Sequence, residues 1–246
     1  MDTEKLKKAN IDNLTTLWEK MGAKAKTTST QVEYYLAPSW PNRCWFDWDI
    51  DTDSIDEIEG VLDILRQNQI VPIWDKTGCK VGRLEQTLIN SGFSVMLEQT
   101  AMVLNAKDFS AQDFPTSAIK LVSSAEDVET WVEVGSKAFG YQIDTQVISR
   151  LVSDEDIKLF IYYYEDIPAG TALLCKTSEV IGVHQVGVSP EFQGKRIGSS
   201  LMKFLISVCK EWQGEFITLQ ASAAGKGLYE RLGFKPQFMI RSYRRK

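Results

Sequence analysis

The stretch SPEFQGKRIGSSLM, residues 189–202, joins the end of an apolar strand to the start of an amphipathic helix through a glycine-containing loop. Backbone amides at a helix start have no partner within the helix and carry about half a positive charge, so they suit an anion. Gly194 and Gly198 let the main chain turn and let phosphate oxygens come close, while Lys195 and Arg196 add positive charge at the mouth. The loop therefore favours phosphate binding, and a plain strand-to-helix turn is the alternative interpretation.

Two common phosphate-binding motifs do not fit this loop. A Walker loop ends in Gly-Lys-Ser or Gly-Lys-Thr, and a dinucleotide fingerprint needs three spaced glycines near the first strand of a βαβ unit. The loop has neither pattern, and it comes late in the chain, after two strands that are predicted to form a hairpin. Its ligand must be inferred from the neighbouring segments.

The segments around the loop alternate between strand and helix patterns. The strand IGVHQVGV (residues 181–188) precedes it, and IKLFIYYYED and GTALLCKTS predict a hairpin further upstream. The hairpin turn is assigned to Asp166, Pro168 and Gly170, and a capping box ahead of an earlier helix to Ser123 and Glu126. Downstream, EFITLQ predicts a strand, and GLYERL predicts a short helix that ends at Gly233. The helix after the loop has an apolar face formed by Leu201, Met202, Leu205, Val208, Cys209 and Trp212.

Residues 118–246 resemble the GNAT superfamily of N-acetyltransferases. Its central signature, Gln/Arg-x-x-Gly-x-Gly/Ala, is matched by QGKRIG at residues 193–198, and its last helix and closing Gly-Phe are matched by LYERLGF at residues 228–234. The resemblance implies an α/β (α+β) fold with a mixed, mostly antiparallel central sheet flanked by helices. Two departures are Arg196, where the family usually has glycine, and ASAAG (residues 221–225), where an asparagine often precedes the last helix.

The same resemblance implies acetyl-coenzyme A as co-substrate. In the family the pantetheine arm pairs with the exposed backbone of the fourth strand, where that strand splays from the fifth, which implies main-chain contacts at Val186 and Val188. An unpaired strand segment offers free amides and carbonyls for such an addition, although an ordinary buried strand also explains the side chains. The diphosphate is expected on Gln193, Gly194, Lys195, Arg196, Ile197, Gly198 and Ser199.

Acetyl transfer to an amine needs a base to deprotonate the amine and an acid to protonate the leaving thiolate. Tyr229 matches the family's usual acid, and its reference pKa of about 10 keeps it protonated at neutral pH; packing of its ring is the alternative. The only histidine, His184, has a reference pKa of about 6.5 and lies where aralkylamine N-acetyltransferases carry a histidine involved in deprotonation. Strand alternation places His184 on the face of Val186 and Val188. Alternatively, His184 is a hydrogen-bonded core residue and water carries the proton.

The first half of the chain repeats the same order of elements more faintly, so we predict two tandem GNAT-like units. Residues 1–115 would form a degenerate unit and residues 118–246 the catalytic one. A capping box is assigned to Ser54 and Glu57. In place of the glycine loop stands DWDIDTDS (residues 47–54), whose aspartates would repel a diphosphate. These acids are interpreted as stabilising a helix start, since neither register fits an EF-hand.

Four of the five tryptophans of the first half lie in residues 40–74, and their rings are interpreted as core and edge packing. Binding of an aromatic or apolar acceptor, with this half walling part of the acceptor site, is the alternative. These tryptophans are Trp40, Trp45, Trp48 and Trp74.

The composition excludes several classes of protein. The 246 residues are 43% hydrophobic and 25% charged with a net charge of -5, which is ordinary for a globular protein and does not indicate nucleic-acid binding. No apolar run approaches the roughly 20 residues that span a bilayer, so we expect a cytoplasmic protein without a membrane partner. The basic residues Arg241, Arg244, Arg245 and Lys246 are interpreted as a solvated strand end.

The cysteines and the single histidine argue against a metal site. Cys44, Cys79, Cys175 and Cys209 have no CxxC or other metal-ligand spacing, and one histidine leaves too few soft ligands for zinc. Reduced, mostly buried thiols are the expectation.

The leading functional hypothesis is transfer of an acetyl group from acetyl-coenzyme A to a primary amine of a small molecule or to a peptide amino terminus, by direct attack in a ternary complex. The alternative is a catalytically silent acyl-coenzyme A binding or regulatory protein. Fem-type aminoacyltransferases also pair two such units, but they use charged tRNA, which the acidic balance argues against. The sequence selects neither one acceptor nor an oligomeric state.

Overall fold

The computed structural model describes residues 1–55, 58–76, 81–110 and 117–246, and they form two compact units. The first unit comprises Met1–Ala101, Gln220–Lys226 and Pro236–Lys246, and the second comprises Met102–Leu219 and Gly227–Lys235. Part of the connector predicted between the halves, residues 111–116, lies outside the described residues. The division into residues 1–115 and 118–246 stays a prediction.

The first unit combines two small groups of strands with three helices. Strands β1, β2 and β3 form an antiparallel sheet, while β4, β11 and β5 are neighbours in that order, with β4 and β11 antiparallel. Its elements are α1 (Thr3–Lys20), β1 (Lys24–Thr27), β2 (Glu33–Leu36), β3 (Cys44–Trp45), α2 (Ile58–Asp63), β4 (Ile70–Asp75), α3 (Arg83–Asn90), most of β5 (Phe93–Asn105) and β11 (Lys235–Arg245).

Two residues of the basic chain end are partly buried, and one of them, Arg241, belongs to an ionic network, so the interpretation as a solvated strand end was wrong for these two. The Arg241 guanidinium donates to Glu85 Oε1 at 2.7 Å and to Asp75 Oδ2 at 2.9 Å, and Glu85 is only 3% exposed. Arg245 donates to the Leu62 carbonyl at 3.1 Å and lies over the Phe93 ring. Carboxylates buried in this way require a charged partner, and Arg241 supplies it.

The predicted helix start near Ser54 lies further along the chain. Thr52–Ser54 form a short 3-10 turn, and α2 begins at Ile58, while Glu57 lies outside the described residues. Two of the four tryptophans, Trp45 and Trp48, are buried, which agrees with a packing role.

The second unit contains the expected sheet. Its strands follow the order β5 (only its end, from Met102), β10, β9, β8, β7, β6. The pairs β6–β7, β7–β8 and β8–β9 are antiparallel, and β9 and β10 are parallel. This arrangement confirms a mixed, mostly antiparallel sheet flanked by helices. Its elements are β6 (Ile119–Leu121), α4 (Ala125–Phe139), α5 (Thr145–Leu151), β7 (Ile157–Tyr164), β8 (Ile167–Thr177), β9 (Val180–Val188), α6 (Ile197–Glu211), β10 (Phe216–Ser222) and α7 (Ala223–Arg231), the last two only in part.

Two local predictions in this unit were shifted. The capping box of α4 uses Ser124 and Asp127, one residue after the predicted pair. Asp127 is also held in place by an ion pair with Lys120, whose Nζ lies 2.5 Å from Asp127 Oδ1. That pairing and the cap lower the pKa of Asp127 to about 2. The hairpin turn is made by Glu165 and Asp166, which both have left-handed φ angles, whereas Pro168 and Gly170 lie inside β8.

The sequence predicted no membrane-spanning helix, no metal site and reduced cysteines, and the described part of the chain bears on all three. None of its helices is both long and apolar enough to cross a bilayer. In the described ranges no group of three His, Cys, Asp or Glu side chains is arranged to hold a metal ion. Cys44, Cys175 and Cys209 are buried thiols that form no disulfide with one another, and Cys79 lies outside the described residues.

Candidate active site

Strand β9, which leads into the glycine loop, contains a β-bulge. Opposite β8, Gly187 pairs with Thr171 and His184 pairs with Leu173, so β9 has one more residue in this interval than β8. The bulge includes Gln185, whose φ angle of 50° is in the left-handed region. A bulge of this kind breaks the alternation of side chains along a strand.

The bulge corrects the predicted face of His184. Val188 pairs with Gly170, where a Cβ would lie 3.5 Å from Ile197 Cγ2, so Val188 is on the side of α6. His184 shares its face with Gly187, where a Cβ would lie 2.8 Å from Ala138 Cβ, so this is the side of α4. His184 is therefore buried, at 7% exposure, on the opposite face from Val188.

The other edge of β9 is paired over only part of its length. Its parallel register with β10 joins Val180–Gly182 to Phe216–Thr218, and no further pair with β10 is formed within the described ranges. Residues 183–188 therefore present backbone amides and carbonyls on that side of the strand. An extended ligand could add to such an edge as a strand does.

The loop after β9 reaches the helix through two left-handed residues. Pro190–Phe192 form a 3-10 turn, and Gln193 is extended, with its side chain donating to the Val188 carbonyl at 3.4 Å. Gly194 then has a φ angle of 81° and Arg196 one of 62°. The departure from glycine at Arg196 thus falls at a conformation that costs a side chain roughly 1 kcal/mol.

The amides of this loop are unused. Those of residues 194–198 donate to no acceptor in the described part of the chain. The first amides to bond are those of Ser199 and Ser200, each to the Arg196 carbonyl at 3.1 Å. Consecutive amides that have no acceptor in the described ranges, at the start of a 15-residue helix, are an arrangement that favours an anion.

Two aromatic rings, which the sequence analysis did not single out, hold the Lys195 side chain at this loop. Its ammonium lies 4.1 Å from the Tyr164 ring centroid and 5.2 Å from that of Phe192. Cation–π contacts of this kind restrict a lysine side chain while leaving its charge exposed.

Helix α7 places Tyr229 near its carboxyl end. The Tyr229 carbonyl accepts from the Phe234 amide at 3.0 Å, which closes the helix at Gly233, whose φ angle is 93°. The tyrosine ring packs edge-on against Phe234, and burial raises the pKa of Tyr229 to about 12. Its hydroxyl makes no hydrogen bond within the described ranges and is protonated at neutral pH.

Helices α6 and α7 meet beside the loop. A Cβ at Gly198 would lie 3.6 Å from Leu228 Cδ2, an ordinary contact. Next to this contact is a cavity of about 450 Å³. It is lined by Asp108, Phe109, Ser110, Ser199, Lys203, Leu228, Arg231 and Leu232.

The family model for the acetyltransferase (GNAT) domain matches residues 106–241, more than half of the chain. The chain belongs to the GNAT family. It is therefore an acetyltransferase, as the resemblance of residues 118–246 implied. A search of curated protein sequences gave no match.

Several solved structures share the fold of this chain, among them two of GNAT proteins. The match to a GCN5-related N-acetyltransferase from Kribbella flavida covers 99% of this chain and 95% of that one, with a TM-score of 0.67 and 16% identity. A GNAT-family protein from Novosphingobium aromaticivorans matches with a TM-score of 0.61, 13% identity, and 94% and 96% coverage. A conserved protein of unknown function from Staphylococcus epidermidis gives a TM-score of 0.63, 19% identity, and 91% and 94% coverage. At these identities the likeness shows the fold alone.

Within this GNAT fold, the predicted site residues fall into two described groups. Those of the loop, together with Tyr229, lie on or beside α6 and α7, whereas His184 lies on the α4 face of β9. The sequence analysis missed Lys203 and Arg231 in the cavity. Helical spacing was a usable signal for Lys203, which lies four residues after Ser199 and so on the same side of α6.

Proposed function

We propose that the protein is an acetyl-coenzyme A dependent N-acetyltransferase acting on a primary amine of a small molecule or on a peptide amino terminus. One observation carries the proposal: the amides of residues 194–198 have no acceptor in the described ranges, and they directly follow the part of β9 that pairs with no residue of β10 there. This combination suits a ligand with a diphosphate next to an extended chain of amides. Coenzyme A has that chemistry.

The diphosphate oxygens would accept hydrogen bonds from the amides of residues 194–198, with Gln193 and Ser199 at the two ends of the loop. Positive charge from Lys195 and Arg196 adds to that of the helix start. The pantetheine amides would pair with the backbone of β9 at Val186 and Val188, along residues 183–188. The cavity beside α6 and α7 offers two further cations, Lys203 and Arg231, for the phosphorylated adenosine end.

Tyr229 supplies the acid. As the acceptor nitrogen bonds to the thioester carbon, the carbonyl becomes an oxyanion, and its collapse breaks the C–S bond and leaves a thiolate. The Tyr229 hydroxyl donates its proton to that sulfur, because it is protonated at neutral pH and has no partner within the described ranges. The nitrogen, which carries an extra proton after attack, loses it to solvent, and the tyrosinate regains one.

His184 is proposed as the base. Before attack, the acceptor ammonium must lose one proton so that its lone pair is free, and imidazole accepts protons near neutral pH. His184 is buried on β9 just before the bulge, and it lies within residues 183–188, the part of the strand that is proposed to bind pantetheine. Transfer through one water serves the same purpose as direct contact.

The first half is proposed to be a GNAT-like unit without its own acetyl-coenzyme A. The turn that would hold a diphosphate carries Asp47, Asp49, Asp51 and Asp53. We therefore expect one molecule of acetyl-coenzyme A bound per chain, which calorimetry measures directly.

Turnover tests the proposal. The protein is mixed with acetyl-coenzyme A and a panel of primary amines and peptides, and free thiol is followed with time. Amine-dependent thiol release, with mass spectrometry showing the acetylated amine, is the expected result. Tight binding of acetyl-coenzyme A without thiol release from any acceptor would instead indicate a silent acyl-coenzyme A binding protein. Absence of binding would remove both.

A further inference from the structure

One polar group in the second unit is fully buried and unused. Thr218 on β10 is 0% exposed, and its hydroxyl has no hydrogen-bond partner in the described part of the chain. A buried hydroxyl without a partner is costly, and most buried polar groups in folded proteins are satisfied by protein or by ordered water. Thr218 therefore needs an explanation.

Its position in the sheet supplies one. Thr218 pairs with Gly182, and this is the last rung of the β9–β10 ladder before β9 continues unpaired. The hydroxyl therefore lies at the closed end of the edge proposed to receive pantetheine.

Thr218 and His184 share a face of the sheet. Residues opposite each other in neighbouring strands point to the same side, so Thr218 lies on the side of Gly182. Gly182 and His184 pair with Cys175 and Leu173, two residues apart on β8, so they also share a side. Two residues along β9 and one strand across separate the two Cα atoms by about 8 Å.

Side chains on one face of a sheet at that separation are within reach of a single bridging water. Gly182 contributes no side chain to the space between them, and a buried water needs at least two polar partners. We propose that Thr218 is a positioning residue: its hydroxyl and His184 together hold the water that carries the proton from the acceptor ammonium to the imidazole. The water takes the ammonium proton and passes one of its own to His184, so it is regenerated. This inference rests on the proposed function.

Removing the hydroxyl without changing the shape tests the role of Thr218. Thr218→Val keeps the volume, and we expect kcat to fall about tenfold to a hundredfold because the water is lost, with the KM for acetyl-coenzyme A unchanged. Thr218→Ser keeps the hydroxyl and is expected to recover most of the rate. Wild-type kcat in Thr218→Val would overturn the proposal. If Thr218→Val fails to fold, Thr218→Ala carries the same expectation and the same contrary outcome.

Thr15→Val is the matched control. Thr15 is also a buried threonine, at 6% exposure, but its hydroxyl donates to the Ile11 carbonyl within α1. We expect this variant to keep its kcat. A rate loss in Thr15→Val equal to that of Thr218→Val would show that loss of any buried threonine hydroxyl slows the enzyme, and it would overturn the specific role.

A readout independent of turnover separates this inference from the proposed function. His184 is the only histidine, so its imidazole gives a single set of NMR signals. We expect Thr218→Val to shift the His184 ring resonances and Thr15→Val to leave them in place. An unchanged His184 signal in Thr218→Val would overturn the water bridge even in an active enzyme. A shifted signal in a protein that acetylates no amine would contradict the proposed function and the proton transfer that rests on it, and would support only the water bridge.

Discussion

Two turns that lead into helices in this protein obtain negative charge from different sources. In the first unit, the turn at residues 47–54 supplies its own: Asp47 accepts from the Trp48 amide at 2.6 Å and Asp51 from the Asp53 amide at 3.1 Å. In the second unit, the amides of residues 194–198 bind no acceptor in the described ranges. The amides of the first turn have carboxylate acceptors within the turn itself, whereas we propose that a bound diphosphate supplies the acceptor in the second.

In the first unit, Gly82 leaves space for the carboxylate of Asp53 at the start of α3. Asp53 Oδ1 accepts from the Arg83 amide at 2.6 Å at the start of α3, and a Cβ on the preceding Gly82 would lie 2.9 Å from that oxygen. Gly198 has the corresponding freedom at α6, but the nearest atom to its Cβ position is 3.6 Å away, on Leu228. The comparison teaches that a glycine at a helix start can serve stability or binding, depending on which anion it admits.

The largest expected effect comes from placing a carboxylate in the glycine loop, residues 193–198, because the loop would then contain its own negative charge, as the turn at residues 47–54 does. Gly198→Asp would imitate the first unit. Repulsion between unit charges at about 4 Å is roughly 4 kcal/mol at an effective dielectric constant of 20, so we expect acetyl-coenzyme A to bind about a thousandfold more weakly in calorimetry. Gly198→Asn has the same shape without the charge and isolates the electrostatic part. Equal affinities for the two variants would contradict a diphosphate at this loop.

The second prediction concerns the ends of two helices. Counting back four residues from the glycine of each Gly-Phe pair gives Tyr229 in the second unit and the fully buried Leu88 in the first. Tyr229→Phe keeps the ring and removes the hydroxyl. We expect kcat to fall about a hundredfold, with the affinity for acetyl-coenzyme A unchanged.

The pH profile of the wild type sharpens this prediction. Since the pKa of Tyr229 is raised to about 12, its acid form is present at all lower pH values. Ionisation of Tyr229 should therefore cause no loss of kcat between pH 7 and pH 10. Full activity in Tyr229→Phe would remove the tyrosine from the chemistry and leave it a packing role like that of Leu88.

Reversing one charge at the open loop should have a smaller effect. Lys195→Glu is expected to raise the KM for acetyl-coenzyme A about tenfold without changing kcat, because the side chain lies at the exposed mouth and its charge is partly screened. The difference should shrink at high salt. Lys195→Gln removes the charge without reversing it, so its KM for acetyl-coenzyme A should lie between that of the wild type and that of Lys195→Glu. A KM that is the same in all three proteins would argue against a charge contact at this position.

The smallest expected effects come from adding one methyl group at each of the two glycines. Gly82→Ala would push Asp53 from the Arg83 amide, so we expect unfolding in urea to show a loss of about 1 kcal/mol. Gly198→Ala meets only an ordinary contact, so its stability should be equal to the wild type or slightly higher, while its affinity for acetyl-coenzyme A falls. An equal loss of stability in both variants would erase the distinction between the two glycines.

Local signals in the sequence were sufficient for much of the second unit. The apolar run of β9, the glycine loop and the periodic face of α6 placed those elements close to their positions, and Gly233 ended α7 as predicted. Each of these features is set by neighbouring residues, through the φ angles that glycine allows and the spacing of apolar side chains. The amides at the start of α6 that have no acceptor in the described ranges could be predicted for the same reason, and the anion that they would bind stays a prediction.

Features that depend on distant residues could not be predicted in this way. The bulge at Gln185 exists because β9 must fit the register of β8, and nothing within IGVHQVGV marks an extra residue. Arg241 looked solvated because its partner, Glu85, is 156 residues away in the chain. Thr218 could not be singled out either, because its hydroxyl, which has no hydrogen-bond partner in the described ranges, gains interest only from the pairing of β10 with β9.

The membership of β11 in the first unit has a consequence for biosynthesis. That unit needs residues 236–246, which the ribosome makes only after the whole second unit, so Met1–Ala101 must wait for their last strand. Until then, Glu85 and Asp75 lack the arginine that neutralises them, and the edge of β4 that pairs with β11 is bare. The first unit therefore cannot complete its fold before the rest of the chain is made, although the amino-terminal part of a protein usually folds first during synthesis.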